Sequence, residues 1–266
     1  MTADSVSPAS AITKMNDVIR GVVLRTIPIK EHDQMLTVYT HERGLVSIYA
    51  GHSRSAKGMP ASCADFAYSE FVVRERGDKL YRESSSCIRY FAGATERVEA
   101  LTLCTYAAEV IMHVGTAEPE PKLMQLFLNT LYAAGSDKYD LRIVKAAFEI
   151  RLLSIIGFMP DVSGCVECGN DRGEFIFDIM SGTVRCPDCV DTTEENDGQL
   201  HPTAILTDGA RVAFDYCVRC PAEKLFSFTL ADDDLHFFCR AAESYIVDQL
   251  DYAFYTLEYF HQLDKF

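Results

Sequence analysis

The sequence is short of positive charge. Its 266 residues hold 25 Lys and Arg against 39 Asp and Glu, a formal net charge of −14. Such a balance argues against a nucleic acid wrapped over the whole surface. Long apolar runs are missing too. No stretch is long enough to cross a bilayer. Residues 1–17 are polar and lack the apolar core of an export signal. The 10 cysteines are therefore expected to be thiols and metal ligands in a reducing cytoplasm rather than disulfides. Catalytic signatures are absent as well: there is no Walker loop, Gly-rich dinucleotide turn, nucleophile elbow or zinc-protease helix. Ser84-Ser85-Ser86-Cys87 lies in a strand-like run and has no evident base. An enzyme is not expected. Nor does the chain show an internal repeat or a low-complexity tract.

The charge is unevenly placed. Residues 1–95 carry 12 Lys and Arg against 10 Asp and Glu, whereas residues 96–266 carry 13 against 29. All the excess acid lies in the second part. A nucleic-acid face, if there is one, belongs to the first third.

Four cysteines carry the most specific pattern present. Cys165-Val166-Glu167-Cys168 and Cys186-Pro187-Asp188-Cys189 are two Cys-x-x-Cys pairs with 17 residues between them. Thiolates two residues apart can turn onto one ion, and a second pair completes a tetrahedral four-sulfur shell. That shell suits zinc and leaves no open position for water, so the expected role is structural. Gly169 follows the first pair, where the chain must turn tightly. Phe175, Phe177 and Ile179 alternate with polar neighbours, Ser181-Gly182 marks a turn, and Thr183-Val184-Arg185 leads back. A hairpin of this length buries little apolar surface and is expected to fold only with its metal.

Ahead of this lobe the pattern changes once. Five runs rich in Val, Ile, Tyr and Phe read as strands: Ile19–Ile29, Met35–His41, Gly44–His52, Phe66–Gly77 and Lys79–Phe91. Arg43-Gly44 and Gly77-Asp78 mark tight turns, and Ser53 to Asp65 makes one long connection. Five strands in so short a span fit a small closed barrel. The OB-fold is the common five-stranded one, with an SH3-like barrel as the alternative.

From about residue 95 the period becomes helical. Val98, Leu101, Leu103, Cys104, Ala107, Ala108, Ile111 and Met112 fit a helix ending near Gly115. Leu123, Leu126, Leu128, Leu131 and Tyr132 fit a second, ending at Gly135. Leu141, Val144, Phe148, Leu152 and Ile155 fall on one face of a third, with Asp140 as N-cap and Gly157 and Pro160 as its stop. Lys145 and Glu149, four apart, are expected on its exposed side. Asp191–Gln199 is an acid-rich loop. Helices are expected to resume around Pro202–Cys217 and Asp234–Tyr259. The fold class is α+β. A flexible tail at 1–15 precedes an OB-fold barrel at 16–94, and a helical domain at 95–266 carries the zinc lobe at 165–189.

The order of barrel, helices and inserted four-cysteine lobe resembles the RecO family of recombination mediators. Ile19-Arg20-Gly21-Val22-Val23-Leu24-Arg25, with Glu31-His32-Asp33 after it, is similar to that family's first strand and turn. Leu36-Thr37-Val38-Tyr39-Thr40 with Gly44-Leu45 is similar to the second. Ala50-Gly51 with Arg54 and Lys57 resembles its basic loop. Most specific is Phe148-Glu149-Ile150-Arg151-Leu152-Leu153, running through Gly157-Phe158-Met159-Pro160-Asp161 into Cys165-Val166-Glu167-Cys168-Gly169. The resemblance covers roughly residues 18–260. It implies binding of single-stranded and duplex DNA, annealing of complementary strands, and loading of RecA on DNA coated by single-strand binding protein (SSB), with RecR as partner. Two departures stand out. The last helix, Tyr252 to Phe260, is acidic and aromatic where the family often carries Arg and Lys. Position 34, where a basic residue is expected, is Gln34.

The candidate DNA contacts are Arg20, Arg25, Lys30, Arg43, Arg54, Lys57, Arg74 and Arg82, with Arg76 and Lys79 as further barrel cations. Tyr39, Tyr49, Phe66, Tyr68 and Tyr81 are available for stacking. The bland alternative makes the cations solvated strand edges and the rings core. Cys217-Val218-Arg219-Cys220 has no second pair nearby, and helical packing explains it better than redox or metal chemistry. Asp232-Asp233-Asp234 fits a helix N-cap with acid on the positive end of the dipole better than a magnesium cluster. His201 and His236 lie in the helical half and could be metal ligands, but the four-cysteine shell is already full. Cys63, Cys87, Cys104 and Cys239 read as small buried side chains. The leading expectation is a DNA-repair binding protein. A zinc-ribbon adaptor with little DNA affinity of its own comes second, and a thiol enzyme using Cys217 and Cys220 third.

Overall fold

A computed structural model describes residues 17–29, 31–53, 59–190 and 202–263, and the chain divides between Arg89 and Tyr90 into two units. The expected tail at 1–15 and the acid-rich loop at 191–199 lie outside the described residues.

In the first unit, alternation of apolar and polar residues gives five strands: β1 (Asp17–Pro28), β2 (Gln34–Thr40), β3 (Gly44–Ala50), β4 (Ala67–Arg76) and β5 (Lys79–Tyr90). They close into a barrel in the order β1-β2-β3-β5-β4. β1 pairs antiparallel with β2 and β4, β2 pairs antiparallel with β3, and β3 meets β5 in parallel through Ile48↔Leu80 and Tyr49↔Tyr81. The barrel is OB-like, as expected. A bulge between Val23 and Arg25 bends β1, so its first half serves β4 and its second half serves β2. Every second residue points inward. Ile19, Val23, Leu36, Val38, Ile48, Phe71, Val73 and Leu80 form the core, and a one-residue slip of any strand would turn its share out to water.

The second unit is helical: α1 (Gly93–Glu96), α2 (Val98–Val114), α3 (Pro121–Ala134), α4 (Leu141–Ile156), α5 (Asp208–Arg219), α6 (Asp232–Leu250) and α7 (Tyr255–Leu263). Asp140 caps α4 as expected, accepting from the Arg142 amide at 2.8 Å. Gly157 ends α4 at φ +103°, a left-handed conformation that favours glycine.

Lys145 and Glu149 are not on an exposed face. α4 is packed by α2, α3, α5 and α6, so it has almost no solvent side, and the two residues are 4% and 0% exposed. Lys145 Nζ lies 2.8 Å from Glu149 and 2.7 Å from Glu243 of α6, and Tyr106 of α2 donates to Glu149 at 2.6 Å.

Three further expectations need correction. The segment after Pro202 is first a strand, β8 (Thr203–Leu206), and α5 starts only at Asp208, with Thr207 as its cap. β8 escaped notice because it has no hairpin partner adjacent in sequence; it pairs with a strand nearly thirty residues back. The final helical stretch is two helices, broken where Asp251 adopts φ +44°. α7 then begins at Tyr255, its first amides held by Glu109 of α2. Asp232, Asp233 and Asp234 occupy the first turn of α6, where acid meets the positive end of the helix dipole, but the N-cap position belongs to Ala231.

Candidate metal centre and nucleic-acid face

Two short strands, β6 (Phe175–Asp178) and β7 (Thr183–Arg185), form the expected hairpin, and β8 adds a third strand in the order β7-β6-β8. The hairpin brings the two Cys-x-x-Cys turns together. The first turn is closed by Gly169 N donating to Cys165 O, with Gly169 at φ +75°. The second is closed by Cys189 N donating to Cys186 O. A cross-link from Val166 N to Val184 O holds the first turn against β7.

The ligand atoms of Cys165, Cys168, Cys186 and Cys189 lie within 4.8 Å of one another. The Cys168 and Cys186 sulfurs are 3.7 Å apart, and all four thiols are free. Sulfurs placed tetrahedrally around an ion at ~2.3 Å are separated by about 3.8 Å. The four residues therefore fit a single metal ion. Cys165 and Cys186 are buried, while Cys168 is exposed. Backbone amides, that of Cys186 foremost, draw the Cys165 thiol down to about 6 against the opposing effect of burial. Burial pushes the Cys186 thiol up. A shell of four thiolates needs a cation at its centre.

The lobe is fastened to the helices by buried polar contacts. Arg211 of α5, 8% exposed, donates to the carbonyls of Val162 (3.0 Å), Ser163 (3.4 Å) and Asp171 (2.6 Å), and its guanidinium lies over the Phe175 ring. Tyr245 of α6 donates to Phe158 O, and Gln249 donates to Ile179 O and Met180 O. Sequence reasoning missed Arg211, since a lone arginine within an amphipathic helix gives no sign that it points inward.

Cys217 and Cys220 pack as expected. Both are buried, and Arg151 of α4 donates to both of their carbonyls and to the Cys220 sulfur at 3.1 Å. Burial holds both thiols above their ordinary range, opposite to what a nucleophile needs. Cys63 and Cys104 are buried as expected, whereas Cys87 is exposed on β5 and Cys239 is half-buried.

The barrel cations divide by their partners. Arg20 pairs with Glu42 at 3.6 Å. Arg43 sits between Asp17 and Glu75. Arg74 pairs with Glu83 at 2.5 Å. Arg82 donates to Gly51 O and Ser85 Oγ. Arg25 is exposed on β1. Lys30, Arg54 and Lys57 lie outside the described residues. Of the five aromatic candidates, Tyr39 and Phe66 are core residues, 1% and 2% exposed. Tyr68 is held edge-on to His41. Tyr49 and Tyr81 are half-exposed neighbours across β3 and β5, with ring centroids 5.4 Å apart. The Arg76 guanidinium lies over Tyr81 at 5.4 Å. Asp33, singled out in the sequence only as part of Glu31-His32-Asp33 after the first strand, accepts from the Tyr49 hydroxyl and the His52 amide.

Known proteins resemble this chain in sequence along nearly its whole length. Residues 15–91 match the family described as Recombination protein O N terminal, and residues 95–254 match Recombination protein O C terminal. Neither describes a catalytic family. A DNA repair protein RecO of Acetivibrio thermocellus is 30% identical over 249 residues, covering 92% of this chain and 96% of its own. The RecO of Rubrobacter xylanophilus is 31% identical over 178 residues, covering 64% and 70%. That of an Anaeromyxobacter species is 34% identical over 181 residues, covering 64% and 69%. Among the described residues no helix is long and apolar enough to cross a membrane.

Proposed function

Since the chain belongs to the RecO family of DNA repair proteins, we propose that it is a cytoplasmic recombination mediator that binds DNA through its barrel and works without covalent chemistry. The observation that carries this reading is the closed β1-β2-β3-β5-β4 barrel with the half-exposed Tyr49–Tyr81 pair and Arg76 on its surface. OB-folds bind single strands on the β2–β3 side, between the β1–β2 and β4–β5 loops, by joining stacking faces to cations. Lys30 in the first of these loops, and Arg54 and Lys57 after β3, would add phosphate contacts, with Arg20, Arg25, Arg43, Arg74 and Arg82 around the barrel. In this reading the protein anneals complementary strands and, with RecR, helps load RecA on SSB-coated single strands. The four cysteines hold a structural zinc ion, which closes the lobe and supplies no reactive position. The helical domain, acidic and stiffened by that lobe, receives protein partners.

A labelled oligonucleotide titrated at several salt concentrations, with and without RecR, tests this. Binding that weakens linearly in log–log salt is expected. No binding in either arm would leave the second reading, a zinc-ribbon adaptor. One observation favours that alternative: Arg20, Arg43, Arg74 and Arg82 already have internal partners.

A further inference from the structure

On the barrel surface, four side chains touch in a row and come from separate elements. Asp33 precedes β2, Tyr49 is on β3, Tyr81 on β5 and Arg76 at the end of β4. Asp33 uses both carboxylate oxygens, one accepting from the Tyr49 hydroxyl and the other from the His52 amide at 2.9 Å. It thereby ties the β1–β2 loop to the end of β3. Tyr49 then has little freedom to turn. Its ring meets Tyr81 at 5.4 Å with the planes inclined by 54°, and the Arg76 guanidinium lies over the Tyr81 ring at 5.4 Å from its centroid. The row is electrically one-sided, with a carboxylate at one end and a guanidinium at the other.

We propose that this row is a stacking subsite for unpaired bases, in which Asp33 is the positioning residue that sets the Tyr49 ring and turns the sugar–phosphate strand toward Arg76. It rests on the reading of the barrel as DNA-binding and deepens it. A base lying on the rings leaves its phosphate a choice of ends. Phosphate is repelled by Asp33 and attracted by Arg76, so the strand takes one orientation. A duplex keeps its bases stacked inside and offers this row only phosphates, which Asp33 opposes. The row therefore favours unpaired strands over duplex. The hydrogen bond to Asp33 also raises the Tyr49 phenol, which stays protonated at neutral pH.

The test measures affinity of the full chain for a labelled single-stranded oligonucleotide and for the matching duplex, in variants whose melting temperature is unchanged. Tyr81→Ala and Tyr49→Ala should each weaken single-strand binding about 5- to 150-fold, the range of one base–aromatic stack. Arg76→Ala should reduce the single-strand log–log salt slope by about 0.7, one phosphate contact. Asp33→Ala should lower single-strand affinity severalfold. Asp33→Asn, which keeps an acceptor for Tyr49 and loses the charge, should restore single-strand affinity while duplex affinity rises. Its single-strand to duplex ratio falls. An Asp33 that merely held the loop in place would not move that ratio. If Asp33→Ala and Asp33→Asn leave both affinities unchanged while Tyr81→Ala weakens binding, Asp33 positions nothing and that part is overturned. If wild type binds single strands and neither tyrosine matters, the subsite is overturned while the DNA-binding reading stands. Wild type failing to bind any strand, with or without RecR, overturns both.

Discussion

Lys145 has two carboxylates within 2.8 Å and almost no water. Burial pushes the Glu149 carboxyl up, and the cation beside it pulls the other way. Removing that cation leaves a carboxylate enclosed by helices. Lys145→Met is expected to cost about 3–5 kcal/mol, because the partner of a lost buried charge stays behind uncompensated. Adding Glu149→Gln should return much of that loss. Chemical denaturation of the two variants checks both values, and a single variant no less stable than wild type would show that the pair is not coupled. Arg211 plays the corresponding part for the lobe. Arg211→Ala leaves the Val162, Ser163 and Asp171 carbonyls without their shared donor, at about 1–3 kcal/mol for each group that water cannot reach. The expected readout is faster metal loss to a chelator, with the barrel's melting unchanged.

At the scale of elements, α4 shows what its first turn is worth. Asp140→Ala should cost about 1 kcal/mol at neutral pH. Burial alone would raise the Asp140 carboxyl, but hydrogen bonds from Arg142 outweigh it and hold the group below its ordinary value. A depressed carboxyl stabilises the fold above its unfolded pKa, and that stability is lost as pH falls through the folded one. The gap between wild type and Asp140→Asn should therefore begin to narrow as pH falls below about 4 and vanish once pH passes below the depressed folded value, where both caps are neutral. Equal gaps at pH 7 and pH 3 would contradict this. The lobe answers to metal instead. One zinc per chain is expected, and Cys165→Ser or Cys186→Ser should unfold the hairpin, since structural zinc is worth on the order of 10 kcal/mol. Metal analysis finding none, with four reactive thiols, would remove it. The elements legible in the sequence were those whose pattern is local. β2 to β4 largely alternate and all five strands are rich in Val, Ile, Tyr and Phe between turn residues, α4 carries its own cap and stop, and the two cysteine pairs announce their turns. What escaped depends on neighbours distant in sequence. Helical period cannot show that α4 is enclosed on every side, so Lys145 and Glu149 look solvated. β8 is four residues with no adjacent partner, and the break at Asp251 carries no glycine. In the candidate site, Tyr49 and Tyr81 could be named but not separated from Tyr39 and Phe66, because alternation does not show which ring is covered.

For the whole molecule, the sequence places its excess acid in residues 96–266, leaving residues 1–95 close to neutral. Exposed like charges repel phosphate within about 10 Å at 0.1 M salt. The isolated barrel, residues 16–94, is expected to bind a single strand at least as tightly as the full chain at low salt, with the advantage shrinking as salt rises. A folded barrel that fails to bind where the full chain succeeds would place contacts in the helical half. The helix that ends the described chain also sets a clock. The amides of Tyr255 and Thr256, which open α7, are held by Glu109, 146 residues earlier in the case of Tyr255. On a ribosome adding about 5–20 residues per second, that interval is roughly 7–30 s. Throughout it the flank of α2 that α7 will cover, with Tyr106 awaiting Phe254, stays open to whatever else is nearby, so the last of the described helices is the one that covers the first long one.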